Sequence, residues 1–327
     1  MKLPKTIHVT CKNKHDIANP VWRDCLNKYY EMYSPEYEIK VHDNSDIYAT
    51  IEAYFPQYLD KIKKITVGAV LADVFRYLIL YLEGGIYSDL DCEPLKHVGA
   101  LLDSEYRYFH GDASRDNAFF VYADPANIRN KRWDFCSNPC SNSVFARVAA
   151  ADRSATSGHL NAFAEPTDMK CLGHGVYADA AATILCYEFH EDWINNAHFL
   201  NDDRCCYKKV GVCQWFMMTE PKQELFLQMF MHCMKNIDRL IETATTTTTT
   251  TTTTGSCENR EDLHHTILST CGPLAFTKMV MDATDTADAT DKILILPSDF
   301  FCCGSFNNSV PLTKNSFIKH HFTSSWR

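Results

Sequence analysis

The sequence predicts an α/β fold on a mostly parallel sheet, and three stretches carry that expectation. Residues 5–10 (Lys-Thr-Ile-His-Val-Thr) read as a short buried strand, residues 22–33 as a helix, and residues 37–42 as a second strand with Tyr37, Ile39 and Val41 alternating. Strands interleaved with helices favour parallel pairing, because each helix carries the chain back across the sheet. The third stretch is a helix–stop–strand unit. Val67, Val70, Leu71, Val74, Phe75, Leu78, Ile79 and Leu82 recur at helical spacing, Gly84-Gly85 supply a left-handed stop, and residues 86–91 read as a strand.

Composition bounds the rest. Of 327 residues, 46% are hydrophobic and 22% charged, which excludes a disordered, collagenous or coiled-coil chain. The length allows two domains or one large α/β domain, and the chain is read as a single domain. A formal charge of −9 disfavours polyanions, so nucleic acid is not an expected partner. Neither a signal-peptide core nor an apolar run long enough to span a membrane is visible, and the expected location is cytoplasmic. Fifteen cysteines, an odd number with vicinal pairs at Cys205-Cys206 and Cys302-Cys303, read as buried thiols and not as a disulfide framework or zinc knuckle.

Two segments stand apart. Residues 245–254 are an unbroken threonine run, so residues 243–257 are expected as a disordered surface loop after a helix at 222–240. Residues 281–291 alternate Asp, Ala and Thr and read as a loop feeding a buried strand at 292–297.

The chemistry concentrates at Asp89 and Asp91. If the strand runs to residue 91, both carboxylates project to one side, about 7 Å apart, with Ile86, Ser88 and Leu90 on the other. Ligands of open α/β sheets bind at such strand ends, and paired hard oxygen donors there suit Mg²⁺ or Mn²⁺ shared with a diphosphate. A calcium loop is excluded, because Pro94 and Ala100 stand where it needs glycine and glutamate. A phosphatase of the haloacid-dehalogenase type, with Asp89 as nucleophile, stays open as an alternative. On the preceding helix Asp73 and Arg76 are i,i+3 neighbours in apolar company, where an unpaired charge is costly. A mutual ion pair and a grip on ligand hydroxyls are compatible readings of that pair.

The block Leu71-Ala-Asp73-Val-Phe-Arg76-Tyr77-Leu-Ile-Leu-Tyr81-Leu-Glu-Gly84-Gly85-Ile-Tyr87-Ser-Asp89-Leu-Asp91 closely resembles the signature of glycosyltransferase family 32. Flanking pieces agree: Pro4 to His8 resembles the family's opening strand, Cys271-Gly272-Pro273 stands where Thr-Gly-Pro is usual, and His320-His321-Phe-Thr-Ser-Ser325-Trp326 resembles the closing motif. The likeness covers residues 1–100 and 266–326, and little of 101–265. Cys11 and His42 depart from tryptophans usual in the family.

The resemblance implies a GT-A-type, Rossmann-like mixed sheet flanked by helices with a largely helical insertion. Residues 1–100 would form the nucleotide-sugar-binding half, 101–242 the acceptor side and 258–327 a C-terminal part with a closing lid. It implies a metal-dependent retaining hexosyltransferase that uses Mn²⁺ or Mg²⁺, a nucleotide-sugar donor linked to UDP or GDP, and a glycan or glycoconjugate acceptor. Asp91 would ligate the metal, Asp89 would contact the ribose and reach the metal through water, and His321 would be a further ligand. Asp73 and Arg76 would hold donor-sugar hydroxyls beside Tyr87. His8, Val9 and Thr10 would run beside the base, with Ser325 and Trp326 at the diphosphate. A carbohydrate-binding relative without turnover is the non-catalytic alternative.

Overall fold

A computed structural model describes residues 2–102, 107–110, 120–123, 134–135, 175–177, 181–188, 211–254, 265–284, 293–296, 300–304, 312 and 316–323. In chain order the elements begin β1 (Thr6–Thr10), α1 (Pro20–Tyr33), β2 (Glu38–His42), α2 (Asn44–Tyr54), the one-turn α3 (Leu59–Ile62), α4 (Gly68–Glu83), β3 (Gly85–Ser88) and β4 (Cys92–Pro94). Short strands follow: β5 (Arg107–His110), β6 (Phe120–Ala123), β7 (Asp134–Phe135), β8 (Gly175–Tyr177), β9 (Thr183–Glu188), β10 (Gly211–Val212) and β11 (Phe216–Thr219). Then come α5 (Glu224–Thr254), α6 (Pro273–Thr284), β12 (Ile293–Leu296) and β13 (Ile318–His320). The chain divides into two compact units. One comprises Leu3–Glu93, Gly211–Val280 and His321–Arg327, the other Met1–Lys2, Pro94–Val210 and Met281–His320.

The first unit holds a mixed sheet in the order β2-β1-β3-β11. β1 pairs in parallel with β2, Ile7 opposite Ile39 and Val9 opposite Val41, and with β3, His8 opposite Tyr87. β11 closes the set antiparallel to β3. The α/β expectation holds: helices alternate with parallel strands and bury their apolar faces.

Local chemistry explains the boundaries. Pro20 starts α1, where its missing N–H costs nothing, and the Asn19 side chain caps the turn through the Val21 N–H. Asp43 and Asp46 form a reciprocal capping box at α2. α4 is buried almost all round, from Val70 to Leu80, with Asp73 and Arg76 included, and it packs on α5. Gly84 and Gly85 end it at φ of +66° and +89°. A Cβ on Gly84 would stand 2.5 Å from the Pro221 nitrogen, and one on Gly85 2.5 Å from the Thr6 carbonyl oxygen. Both glycines are therefore required by dihedral and by space.

α5 differs from the expectation. It continues to Thr254, so the backbone of the threonine run is helical where the sequence suggests a loop. Phe226, Met229, Phe230 and Cys233 are buried and anchor its first turns. Extending an anchored helix adds one hydrogen bond per residue without a new nucleus, and this outweighs the modest helix deficit of threonine.

In the second unit β5 to β8 form an antiparallel sheet in the order β7-β6-β5-β8. β9 pairs in parallel with β12, which is fully buried as expected for residues 292–297. Within 101–242 the described elements are strands up to Thr219 and the start of α5 from Glu224, and the rest of the largely helical insertion expected there lies outside the described residues. Nine cysteines are among the described residues, each a free thiol, and all but Cys11 are buried.

Gly85→Ala should lower stability by roughly 2 kcal/mol or more, since it combines a left-handed dihedral with a backbone clash. The denaturant midpoint measures this, and an unchanged midpoint would show that the β1–β3 crossing yields.

Candidate functional site

β3 ends at Ser88, one residue before the carboxylate pair. The Asp89 carbonyl accepts from the Cys92 N–H at 3.1 Å, so Asp89-Leu90-Asp91 is a turn between β3 and β4. The expectation that both carboxylates share a strand face is corrected here, because alternation holds only while the ladder continues. The two aspartates instead face different partners.

Asp89 belongs to an inner cluster. Its Oδ1 accepts from the Tyr87 hydroxyl at 2.9 Å, and the Thr10 hydroxyl lies 2.9 Å from the same phenolic oxygen. A carboxylate only accepts, so Tyr87 spends its proton on Asp89 and Thr10 donates to Tyr87. Arg76 Nη2 lies 3.1 Å from Asp89 Oδ1 and 2.9 Å from Asp73 Oδ1, while Nη1 donates to the Gln214 carbonyl at 2.9 Å. The guanidinium carbon sits 4.7 Å over the Tyr87 ring. One buried cation thus joins the helix pair to the first aspartate of the turn.

Gln214 completes this cluster. Its Nε2 donates to Asp73 Oδ1 at 3.1 Å, which turns its Oε1 to the Tyr77 hydroxyl. Cys271 Sγ lies 3.6 Å from Asp73 Oδ2. Side-chain exposure is 5% for Arg76 and 6% for Asp73, against 28% for Asp89. Burial pushes the Asp73 carboxyl up to about 7, against the attraction of Arg76. Arg76 Nε is buried without a hydrogen-bond partner, a cost of about 1–3 kcal/mol for an unmet donor.

Asp91 faces the segment 321–323. Its Oδ2 accepts from the Thr323 N–H and hydroxyl, both at 2.9 Å, and its carbonyl accepts from the His321 N–H at 2.9 Å. Trp22 Nε1 donates to the Thr323 hydroxyl at 2.9 Å, and the Phe322 ring meets Trp215 edge-on at 5.4 Å. His321 Nε2 lies 2.7 Å from Glu93 Oε2, and Lys28 pairs with the other oxygen of Glu93. Asp89, Asp91 and His321 are all half-buried. Carboxylate oxygens and an imidazole nitrogen are donor types that suit Mn²⁺ or Mg²⁺, although the three side chains do not bring their ligand atoms within 4.8 Å of one another.

The opening strand departs from its expected role. His8 and Val9 are fully buried, and only Thr10 is half-exposed. His8 Nε2 lies 3.1 Å from the Gly84 carbonyl and Nδ1 lies 3.0 Å from His42 Nε2. A carbonyl only accepts, so His8 donates through Nε2 and accepts His42's proton at Nδ1. Burial, then the neighbouring His42, holds the His8 pKa down at about 3. His8 and its hydrogen-bonded neighbour His42 are spent on the core. Ser325 and Trp326 lie outside the described residues. Gln214, Thr323 and Glu93 escaped sequence reasoning. Gln214 stands alone in an unmatched segment, and the one sequence signal for Glu93 is its place two residues past Asp91.

Residues 19–108 match the family described as "Glycosyltransferase sugar-binding region containing DXD motif". That span holds the Asp73–Arg76 pair and the Asp89–Asp91 turn, and the match supports the likeness to glycosyltransferase family 32. Among individual proteins, the chain is 32% identical over 112 residues to an initiation-specific alpha-1,6-mannosyltransferase of Schizosaccharomyces pombe, covering 32% of this chain and 27% of that one. It is 33% identical over 93 residues to the mannosyl phosphorylinositol ceramide synthase SUR1 of Saccharomyces cerevisiae, covering 28% and 24%. The chain thus spans about a quarter of the length of the curated relatives it matches. Similar solved structures include the PaToxG glycosyltransferase, with a TM-score of 0.38 at 10% identity over 86% of this chain and 69% of that one. The UDP-bound glycosyltransferase domain of the YGT toxin aligns with a TM-score of 0.33 at 11% identity over 78% and 52%.

Two outcomes follow from these contacts. His8 has a lowered folded pKa, so its stability contribution is complete above its ordinary 6.5. It is lost as pH falls toward about 3, because the unfolded chain takes a proton that the folded one refuses. Denaturant midpoints of the wild type should fall more steeply below pH 6.5 than those of His8→Gln, by up to ~1.4 kcal/mol per pH unit for the one proton; parallel profiles would contradict this. Gln214→Leu keeps the volume but strips a donor from Asp73 and an acceptor from Tyr77. It should cost about 1–3 kcal/mol in the same measurement.

Proposed function

We propose that this chain is a metal-dependent, retaining glycosyltransferase of the hexosyl type, moving a sugar from a nucleotide sugar linked to UDP or GDP to a hydroxyl of a glycan or glycoconjugate. The observation that carries this reading is the Arg76 guanidinium bridging Asp73 and Asp89, because it makes one structure of the helix pair and the DXD turn. Mannose is the first candidate for the sugar, since the relatives' names are those of mannosyl transferases.

Each residue then has a task. The Asp73 carboxylate accepts from, and the Arg76 guanidinium donates to, hydroxyls of the donor sugar; Arg76 stays charged at any working pH. Tyr87, with its proton committed to Asp89, fixes that carboxylate toward the ribose. Asp91 and His321 would hold the cation, with Asp89 reaching it through water. When bound, Mn²⁺ or Mg²⁺ supplies Lewis-acid neutralisation of the departing diphosphate. Thr10 offers the half-exposed end of β1 to the base. Ser325 and Trp326 are assigned to the diphosphate by their place in the closing motif. Among the described residues no helix is long and apolar enough to cross a membrane.

The phosphatase alternative asks Asp89 to attack as a nucleophile. A carboxylate oxygen that takes both the Arg76 charge and the Tyr87 proton is a weakened one, so the geometry favours transfer.

A panel of UDP- and GDP-sugars incubated with Mn²⁺ should release nucleoside diphosphate from one donor, and Asp91→Ala should lose at least about 10²-fold of that activity. Near-normal turnover in the variant would remove the metal assignment. Inorganic phosphate released from a phosphomonoester would favour the hydrolase.

A further inference from the structure

Glu93 stands two residues beyond the DXD turn and has no part in the reading above. Its two carboxylate oxygens are divided between two partners: Oε1 pairs with Lys28, and Oε2 lies 2.7 Å from His321 Nε2. Its side chain is 15% exposed and that of His321 25%, so both are sheltered. A carboxylate can only accept, so His321 presents Nε2–H to Glu93. In neutral imidazole the lone pair is then on Nδ1. The His321 backbone is held as well, because its N–H donates to the Asp91 carbonyl at 2.9 Å. Ring and backbone are thus both tied to the segment that carries Asp91.

We infer that Glu93, braced by Lys28, is a positioning residue that fixes the His321 tautomer so that Nδ1 is the nitrogen offered to a divalent cation. This inference rests on the metal-dependent reading and names the residue that tunes its imidazole ligand. A ligating histidine usually donates its second ring N–H to a carboxylate, and removing that carboxylate typically weakens metal binding 10–100-fold. Lys28 holds Glu93 ionised and turned toward His321.

The tautomer is measured on the intact, metal-free protein by the ¹⁵N shifts of the His321 imidazole: a proton on Nε2 is expected, and a proton on Nδ1 overturns the inference. Affinity for Mn²⁺, alone and then with UDP or GDP, is read by the paramagnetic resonance of free Mn²⁺. Glu93→Ala should bind Mn²⁺ 10–100-fold more weakly with a near-normal melting temperature, and Glu93→Gln, whose amide oxygen can still accept from Nε2, should recover most of the loss. Wild-type affinity in Glu93→Ala beside lost affinity in Asp91→Ala overturns the inference alone. A wild type that binds no Mn²⁺ under either condition overturns the metal-dependent reading together with it.

Discussion

A guanidinium taken out of water in the middle of an apolar helix needs compensation from every side, and Arg76 receives it from four. Asp73 lies one turn back on α4, Asp89 at the turn after β3, the Gln214 carbonyl on the chain leading into β11, and the Tyr87 ring beneath. Removing either partner of a buried pair leaves an uncompensated charge, which is why such pairs destabilise more when broken than they stabilise when made. The positions of α4, β3 and β11 are therefore not independent. Each supplies a group that the same cation requires, and the sheet order β1-β3-β11 is what brings the three together.

The sequence exposed the parts of this arrangement that are periodic or local. Interleaved strands and helices were legible because spacing reports them, and the Asp73–Arg76 pair was legible because i,i+3 charges on an apolar helix admit few explanations. The end of β3 was not, since two-residue alternation reads the same whether or not a neighbouring strand continues the ladder. Gln214 was hidden for a related reason: a single glutamine becomes informative only when Asp73 and Tyr77 stand on either side of it. The threonine run misled by composition, because its helical backbone follows from anchoring far upstream in α5. His8 lay in a matched motif, yet its ring is claimed by Gly84 and His42, a consequence of which face of β1 turns inward.

The division of labour between the two aspartates follows from the turn. In a strand their environments would be alike; across Asp89-Leu90-Asp91 the first looks toward the helix pair and the second toward residues 321–323. One carboxylate is held by a cation and a phenol, the other by an amide, a hydroxyl and the neighbourhood of an imidazole. Groups of one chemical type thereby acquire different partners, which a site needs when one carboxylate is to meet a ligand and the other an ion.

The bond between Asp91 and Thr323 spans 232 positions of the chain. During synthesis the aspartate leaves the ribosome long before its amide and hydroxyl donors have been translated, and Trp22 waits longer still for the same threonine. The early α/β elements can assemble from neighbouring contacts, but the surroundings of Asp91 mature only in a late, long-range closure, the slow class of folding event. A nascent chain stalled before that point would display a half-made carboxylate turn to water, and to whatever cations the compartment holds.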